Sequence, residues 1–155
     1  MTLARMFVVI VVLAPHLLAV EPTPPNFAGT WIVDLDSSRA DSRDLKFSVV
    51  IIEQEGPRVQ FDFFHGERPL GTEIFIAGGP ARERYRTRVE TATAQAKFRK
   101  NALEIWTLHT QRHIVADMSF TETESWAISE DGNTLNHTFR DGTFLVYGRQ
   151  APTKE

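Results

Sequence analysis

Four arginines stand at alternate positions, Arg82, Arg84, Arg86 and Arg88. On an extended strand alternate side chains share a face, about 6.6 Å apart at each step. Such a row can grip a carboxylate or a phosphate, because each guanidinium donates two parallel N–H bonds to either group. Arg84, Arg86 and Arg88 are therefore candidate anion-binding residues. The same row also suits a solvated outer face partly neutralised by Glu122 or Glu124, with Tyr85, Thr87 and Val89 turned to the interior. Glu122 and Glu124 in turn share strand parity with Met118, Phe120, Trp126 and Ile128. On a regular strand both carboxylates would point inward, which is costly unless they are paired or wet. Paired, they can serve acid–base chemistry or meet a cationic ligand. A bulge near Thr121 would turn them outward at no such cost, and that is the simpler expectation.

The histidines offer less. His109 and His113 are four apart, a spacing that aligns metal ligands on a helix but separates them by about 13 Å on a strand. No metal ligand set is assigned. No serine lies in a Gly-x-Ser-x-Gly elbow and no glycine-rich phosphate loop is present, so no catalytic residue is assigned and no cofactor is expected. An enzyme would need His137 and an inward glutamate within hydrogen-bonding reach in a cleft. The aromatic side chains say more. Phe61, Phe63, Tyr85, Phe98, Trp126 and Phe139, with His137, fall at positions that can face a common interior. They either line a ligand cavity or simply fill a small barrel. A lined pocket would have a volume of roughly 300 Å³ or more.

The elements that must position these residues read as short strands. Gly29–Leu35 alternates Trp31, Val33 and Leu35 on one face. Phe47–Gln54 is apolar on both faces over part of its length, and Arg58–His65 alternates Val59, Phe61 and Phe63 with polar residues. Further strands are expected at Thr72–Ile76, Arg82–Glu90, Thr93–Arg99, Ala102–Thr110, Ile114–Ile128, Thr134–Arg140 and Phe144–Arg149. The run Ile114–Ile128 is long enough to need a bend or a bulge. Between the strands, Asp36–Asp44 is polar and turn-forming, His65–Pro69 is a loop, and Gly78-Gly79-Pro80 is a breaker. A hairpin is expected about Lys100-Asn101. Asp131-Gly132 and Asp141-Gly142 are hairpin signals, since both residue types tolerate the positive φ of a tight turn. Strands at this spacing, with no amphipathic helix of three turns, indicate an all-β barrel or sandwich.

The 155 residues point to one domain, with 42% hydrophobic and 24% charged content, as in an ordinary soluble globular chain. A net charge of −3 gives no support for nucleic-acid binding. Arg5 followed by the uncharged run Met6–Ala14 and the small-residue site at Leu17-Leu18-Ala19 has the layout of a secretory signal peptide. Residues 1–19 are expected to be this leader, 20–25 a proline-rich linker, 26–150 the barrel and 151–155 a tail. The apolar run is short for a bilayer span, so no stable membrane anchor is expected once the leader is cleaved. Cysteine is absent, which fits a bacterial periplasmic protein better than a small eukaryotic secreted one, and the expected location is periplasmic or extracellular. Asn136-His137-Thr138 has the form of a glycosylation sequon but falls inside an expected strand.

Phe27-Ala28-Gly29-Thr30-Trp31 resembles the Gly-x-Trp opening of the lipocalin and fatty-acid-binding protein superfamily. With Asn26–Leu35, Ile52-Glu53-Gln54, Ala96-Lys97-Phe98, Glu124–Leu135 and Leu145–Arg149, the chain is similar to a secreted bacterial lipocalin-like (calycin-type) β-barrel family of unknown role. The resemblance implies a single antiparallel up-and-down barrel of about 8–10 strands. It also implies that Trp31 plugs the closed end beside Gly29, with Arg149 laid across the indole. The Thr-Asp-Tyr loop of lipocalins, the two helices of fatty-acid-binding proteins and their late Arg-x-Tyr pair are missing, so no ligand role transfers. The expected function is non-covalent binding of a small apolar or amphipathic ligand in the barrel. The alternative is a filled barrel that docks a protein or surface partner of the cell envelope through an outer face such as the arginine row; no protein partner is identified.

Overall fold

A computed structural model describes residues 23–39 and 47–151. The leader, part of the linker, residues 40–44 of the expected turn and most of the tail lie outside the described residues. Ten strands follow one another: β1 (Gly29–Arg39), β2 (Val49–Glu55), β3 (Arg58–His65), β4 (Arg68–Ile76), β5 (Arg82–Arg86), β6 (Glu90–Arg99), β7 (Ala102–Gln111), β8 (Met118–Ile128), β9 (Thr134–Thr138) and β10 (Phe144–Arg149). They form one sheet in the order β4-β3-β2-β1-β10-β9-β8-β7-β6-β5. Every neighbour is antiparallel, β1 pairs with β10 (Trp31 opposite Arg149), and the sheet curls into a nearly closed up-and-down barrel. No helix occurs among the described residues. The remaining gap runs between β4 and β5, where Ala77 bridges to Ala96 and Gly78 N–H donates to the Ala96 carbonyl at 2.8 Å.

Alternation drives the closure. Val59 and Phe61 on β3, Ala92, Ala94 and Ala96 on β6, and Leu103 and Ile105 on β7 are buried, while their neighbours in sequence face out. Lys100 takes φ 51° in the two-residue hairpin between β6 and β7, and Gly132 takes φ 72° in the Asp131-Gly132 turn between β8 and β9.

One end of the barrel is plugged. Trp31 is fully buried, its Nε1–H donates to the Phe27 carbonyl at 2.9 Å, and the Arg149 guanidinium lies 4.4 Å above the indole. Arg149 also donates to the carbonyls of Ala28 (2.8 Å) and Gly132 (2.7 Å), tying the first and last strands to a turn. Phe27 stacks on Phe98, and Gln54 holds the entering chain through Phe27 N–H and the Pro25 carbonyl. Gly29 has φ +149°, and a Cβ there would lie 3.1 Å from Arg149 Nη1 and 3.6 Å from Trp31 Nε1. Gly29→Ala is therefore expected to destabilise the fold by about 1–3 kcal/mol through strained backbone and crowding of the plug. Gly148→Ala, where nothing lies within 4 Å, serves as a near-neutral control. Paired thermal melts check this, and equal melting temperatures would refute it.

Several strand limits differ from the sequence expectation. β1 runs on to Arg39 because the Ser38 hydroxyl donates to the Asp34 carbonyl and accepts from Val146 N–H at 2.9 Å, carrying the pairing across a register shift. Leu35, expected on the face of Trp31, is half exposed and lies in the stretch between Asp34 and Arg39 where the pairing with β10 shifts register. β4 begins at Arg68 and includes Pro69, which an edge strand tolerates. The expected strand Arg82–Glu90 is two strands: the Thr87 hydroxyl accepts from Glu90 N–H at 3.0 Å and turns the chain there. β8 starts at Met118, leaving Ile114 and Val115 exposed, and its register against β7 is unbroken, so the expected bulge near Thr121 is absent.

Candidate ligand cavity at the open end

Opposite the Trp31 plug the inward side chains stop filling the barrel. A cavity of about 980 Å³ opens there between the ends of β3, β4, β5, β7, β8 and β9. Its apolar side is a set of rings. Trp126 stacks on His137 at 3.7 Å and 10°, Phe139 lies 4.1 Å from His137, and Phe47 packs on Phe63 at 4.6 Å. Phe61 lies beneath this floor, 5.0 Å from Trp126 and fully buried.

The other side is ionic. Arg84 on β5 meets Glu73 on β4 through Nε (2.9 Å) and Nη2 (2.6 Å), and meets Glu124 on β8 through Nη1 at 2.8 Å. Nη1 also donates to the Thr107 hydroxyl at 3.1 Å. The Arg84–Glu73 fork spans the gap between the two edge strands, where a second cavity of about 310 Å³ lies alongside. Glu124 Oε2 lies 2.9 Å from His137 Nε2. Burial alone would make Arg84 less basic, but the Glu73 hydrogen bond and the charges of Glu124 and Glu73 outweigh it and raise its pKa. Burial opposes ionisation of Glu124, yet the His137 hydrogen bond and the Arg84 charge hold its pKa below the usual value. Burial lowers the pKa of His137 despite the Glu124 contact, so the imidazole is neutral near pH 7. With Glu124 ionised, Nε2 carries the proton and Nδ1 is a bare acceptor. Among the described residues no group bonds to that Nδ1, although His137 is only 1% exposed.

Nearer the rim, His109 Nδ1 lies 2.7 Å from Glu90 Oε1 and 3.2 Å from the Tyr85 hydroxyl, and its ring stacks on Phe120 at 4.7 Å. Its Nε2 is 3.4 Å from Glu122 Oε2, close enough for a charge contact but without hydrogen-bond geometry. The hydrogen bond to Glu90, with some burial, pushes the Tyr85 pKa up to about 12. Among the described residues no group of three or more His, Asp or Glu side chains is placed to hold a metal ion.

Of the expected lining residues, Phe63, Tyr85, Trp126, His137 and Phe139 face the cavity, Phe61 lies in the core below it, and Phe98 is at the plugged end against Phe27. The arginine row is not one face. A register shift between Glu83 and Tyr85 lets both Arg84 and Tyr85 reach the interior, Arg86 is exposed and paired to Glu83, and Arg88 lies exposed in the turn after β5. Arg84, Arg86 and Arg88 therefore do not converge on one anion.

Phe47, Glu73, Thr107 and His109 were not expected at the site. For Thr107 and His109 the signal was their parity with Leu103 and Ile105; for Glu73, an edge strand facing Arg84 across the gap, nothing local announces it. Chemically the arrangement can stack a flat molecule, accept hydrogen bonds, and hold an oriented neutral imidazole beside a carboxylate. The chain matches no protein-family model, and a search of curated proteins finds no match.

Proposed function

We propose that this protein is an exported lipocalin-like (calycin-type) barrel that binds a small amphipathic molecule non-covalently in the open half of its interior. The observation that carries the reading is the 980 Å³ cavity, floored by stacked rings above a plugged base and comparable to the 300–1,000 Å³ of known ligand pockets. Its walls combine the two properties such pockets share: apolar rings to bury a ligand body, and a few polar groups to orient it. Export rests on the charged, apolar and small-residue order of residues 1–19.

The optical test uses the distribution of the three tryptophans. Trp126 lies buried directly beneath the cavity's rings, Trp31 is in the plug, and Trp106 faces outward from β7. A titrated ligand is expected to quench emission saturably in the parent protein and in Trp106→Phe, with the response reduced most in Trp126→Phe. A response reduced no more by Trp126→Phe than by Trp106→Phe, or no response to any lipid, pigment or aromatic compound, would overturn the reading. Docking through the arginine row, the other function the sequence allows, draws no support from these residues, because Arg84 is committed to Glu73 and Glu124 inside the barrel.

A further inference from the structure

We infer that the cavity selects planar aromatic molecules carrying a positive charge, and discriminates against fatty-acid-like anions. This deepens the ligand-binding reading and rests on it.

Two independent features lead there. The first is shape. Phe47, Phe63 and Phe139 are partly exposed rings of the cavity wall, packed over the buried Trp126–His137 stack, so the floor offers flat faces. Faces of this kind stack a planar ring and also attract cations through the ring quadrupole. The second is charge. Glu73, Glu122, Glu124 and Asp141 contribute carboxylates to the wall, against the guanidiniums of Arg84 and Arg140. Arg84 is already spent on Glu73, Glu124 and Thr107, so the innermost cation has little left to offer an anion. Glu122, by contrast, is half exposed at the mouth and meets only the His109 edge at 3.4 Å.

The polarity is the reverse of what four alternating arginines suggest. The excess negative charge around the mouth draws cations toward the opening, and a low-dielectric ring floor strengthens the attraction once they enter.

The test uses one ring system with three charges: 1-pyrenemethylammonium, 1-pyrenemethanol and 1-pyrenecarboxylate, titrated into the full mature chain at low salt and followed by energy transfer from tryptophan. The ammonium is expected to bind about tenfold or more tighter than the carboxylate, with the alcohol between them. In Glu122→Gln, on the exposed rim where folding tolerates it, the advantage of the ammonium over the alcohol is expected to shrink several-fold. Equal or tighter binding of the carboxylate would overturn the charge selectivity while leaving the pocket reading intact. An unchanged ammonium-to-alcohol ratio in Glu122→Gln would overturn the assignment to this wall. Failure of all three probes to bind would overturn the pocket reading and the selectivity together.

Discussion

Trp31→Ala is expected to cost about 3–5 kcal/mol, the range for removing a buried aromatic from a core, and to lower the melting temperature by about 10–20 °C. The residue is fully buried and its loss strips three features at once. The indole fills the base of the barrel, its N–H holds the Phe27 carbonyl at 2.9 Å, and its face seats the Arg149 guanidinium at 4.4 Å. Arg149 in turn ties β1 and β10 to the Gly132 turn, so the damage falls on the pairing that closes the sheet. Trp31→Phe keeps most of the apolar volume and loses the donor, and should cost clearly less. Chemical denaturation of the two variants separates these terms. A loss below about 1 kcal/mol for Trp31→Ala would mean that the plug does not hold the barrel closed.

Glu124→Ala is the second large effect, about 3–5 kcal/mol, because removing one partner of a largely buried ion pair leaves the other without compensation. Here two donors lose an acceptor, His137 Nε2 and Arg84 Nη1, which keeps only the Thr107 hydroxyl. Glu73 still holds Arg84, which places the expected loss toward the lower end. The same cluster sets an acid response. His137 has a folded pKa lowered by burial from 6.5, so the unfolded chain binds more protons there; its contribution is complete above pH 6.5 and is lost as pH falls toward the folded value. Glu124 is held below 4.5, so its contribution is complete above that pH and is lost at lower pH still. Stability is thus expected to fall in two stages on acidification, and His137→Gln should remove the first while keeping a donor to Glu124. Melting temperatures between pH 7.5 and 3.5 check this. A parent curve flat between pH 6.5 and 5, or a His137→Gln curve with the parent's slope, would contradict it.

The barrel was legible because its alternation is local: Val59, Phe61 and Phe63 announce β3 without reference to anything distant, and the two Asp-Gly pairs announce their turns. Gly29, Trp31 and Arg149 were likewise legible, through a resemblance that spans the first and last strands. The arginine row misled for a physical reason. Alternation extends through Arg88, but the Thr87 side chain ends the strand, and the shift at Glu83–Tyr85 turns Arg84 away from the face of Arg86. Neither event changes the residue pattern. Glu124 posed the opposite problem. Its parity placed it inside, and the desolvation cost argued for a bulge to expel it. The cost is met instead by His137 on the neighbouring strand of the β8–β9 hairpin and by Arg84 on β5, which only the folded sheet brings within 3 Å of it. Cavity volume was beyond reach for a related reason, since it depends on how far Phe63 and Phe139 stand from Glu73, Arg84 and Tyr85 across the barrel.

The most direct test of the central claim, an open ring-floored chamber above the Trp31 plug, is a crystal structure of the mature chain soaked with the uncharged probe 1-pyrenemethanol. Pyrene density is expected inside the barrel, against the rings of Phe47, Phe63 and Phe139 above the buried Trp126–His137 stack. A probe found only on the outer surface, with the space between Phe63, Phe139, Arg84 and Tyr85 closed, would contradict it.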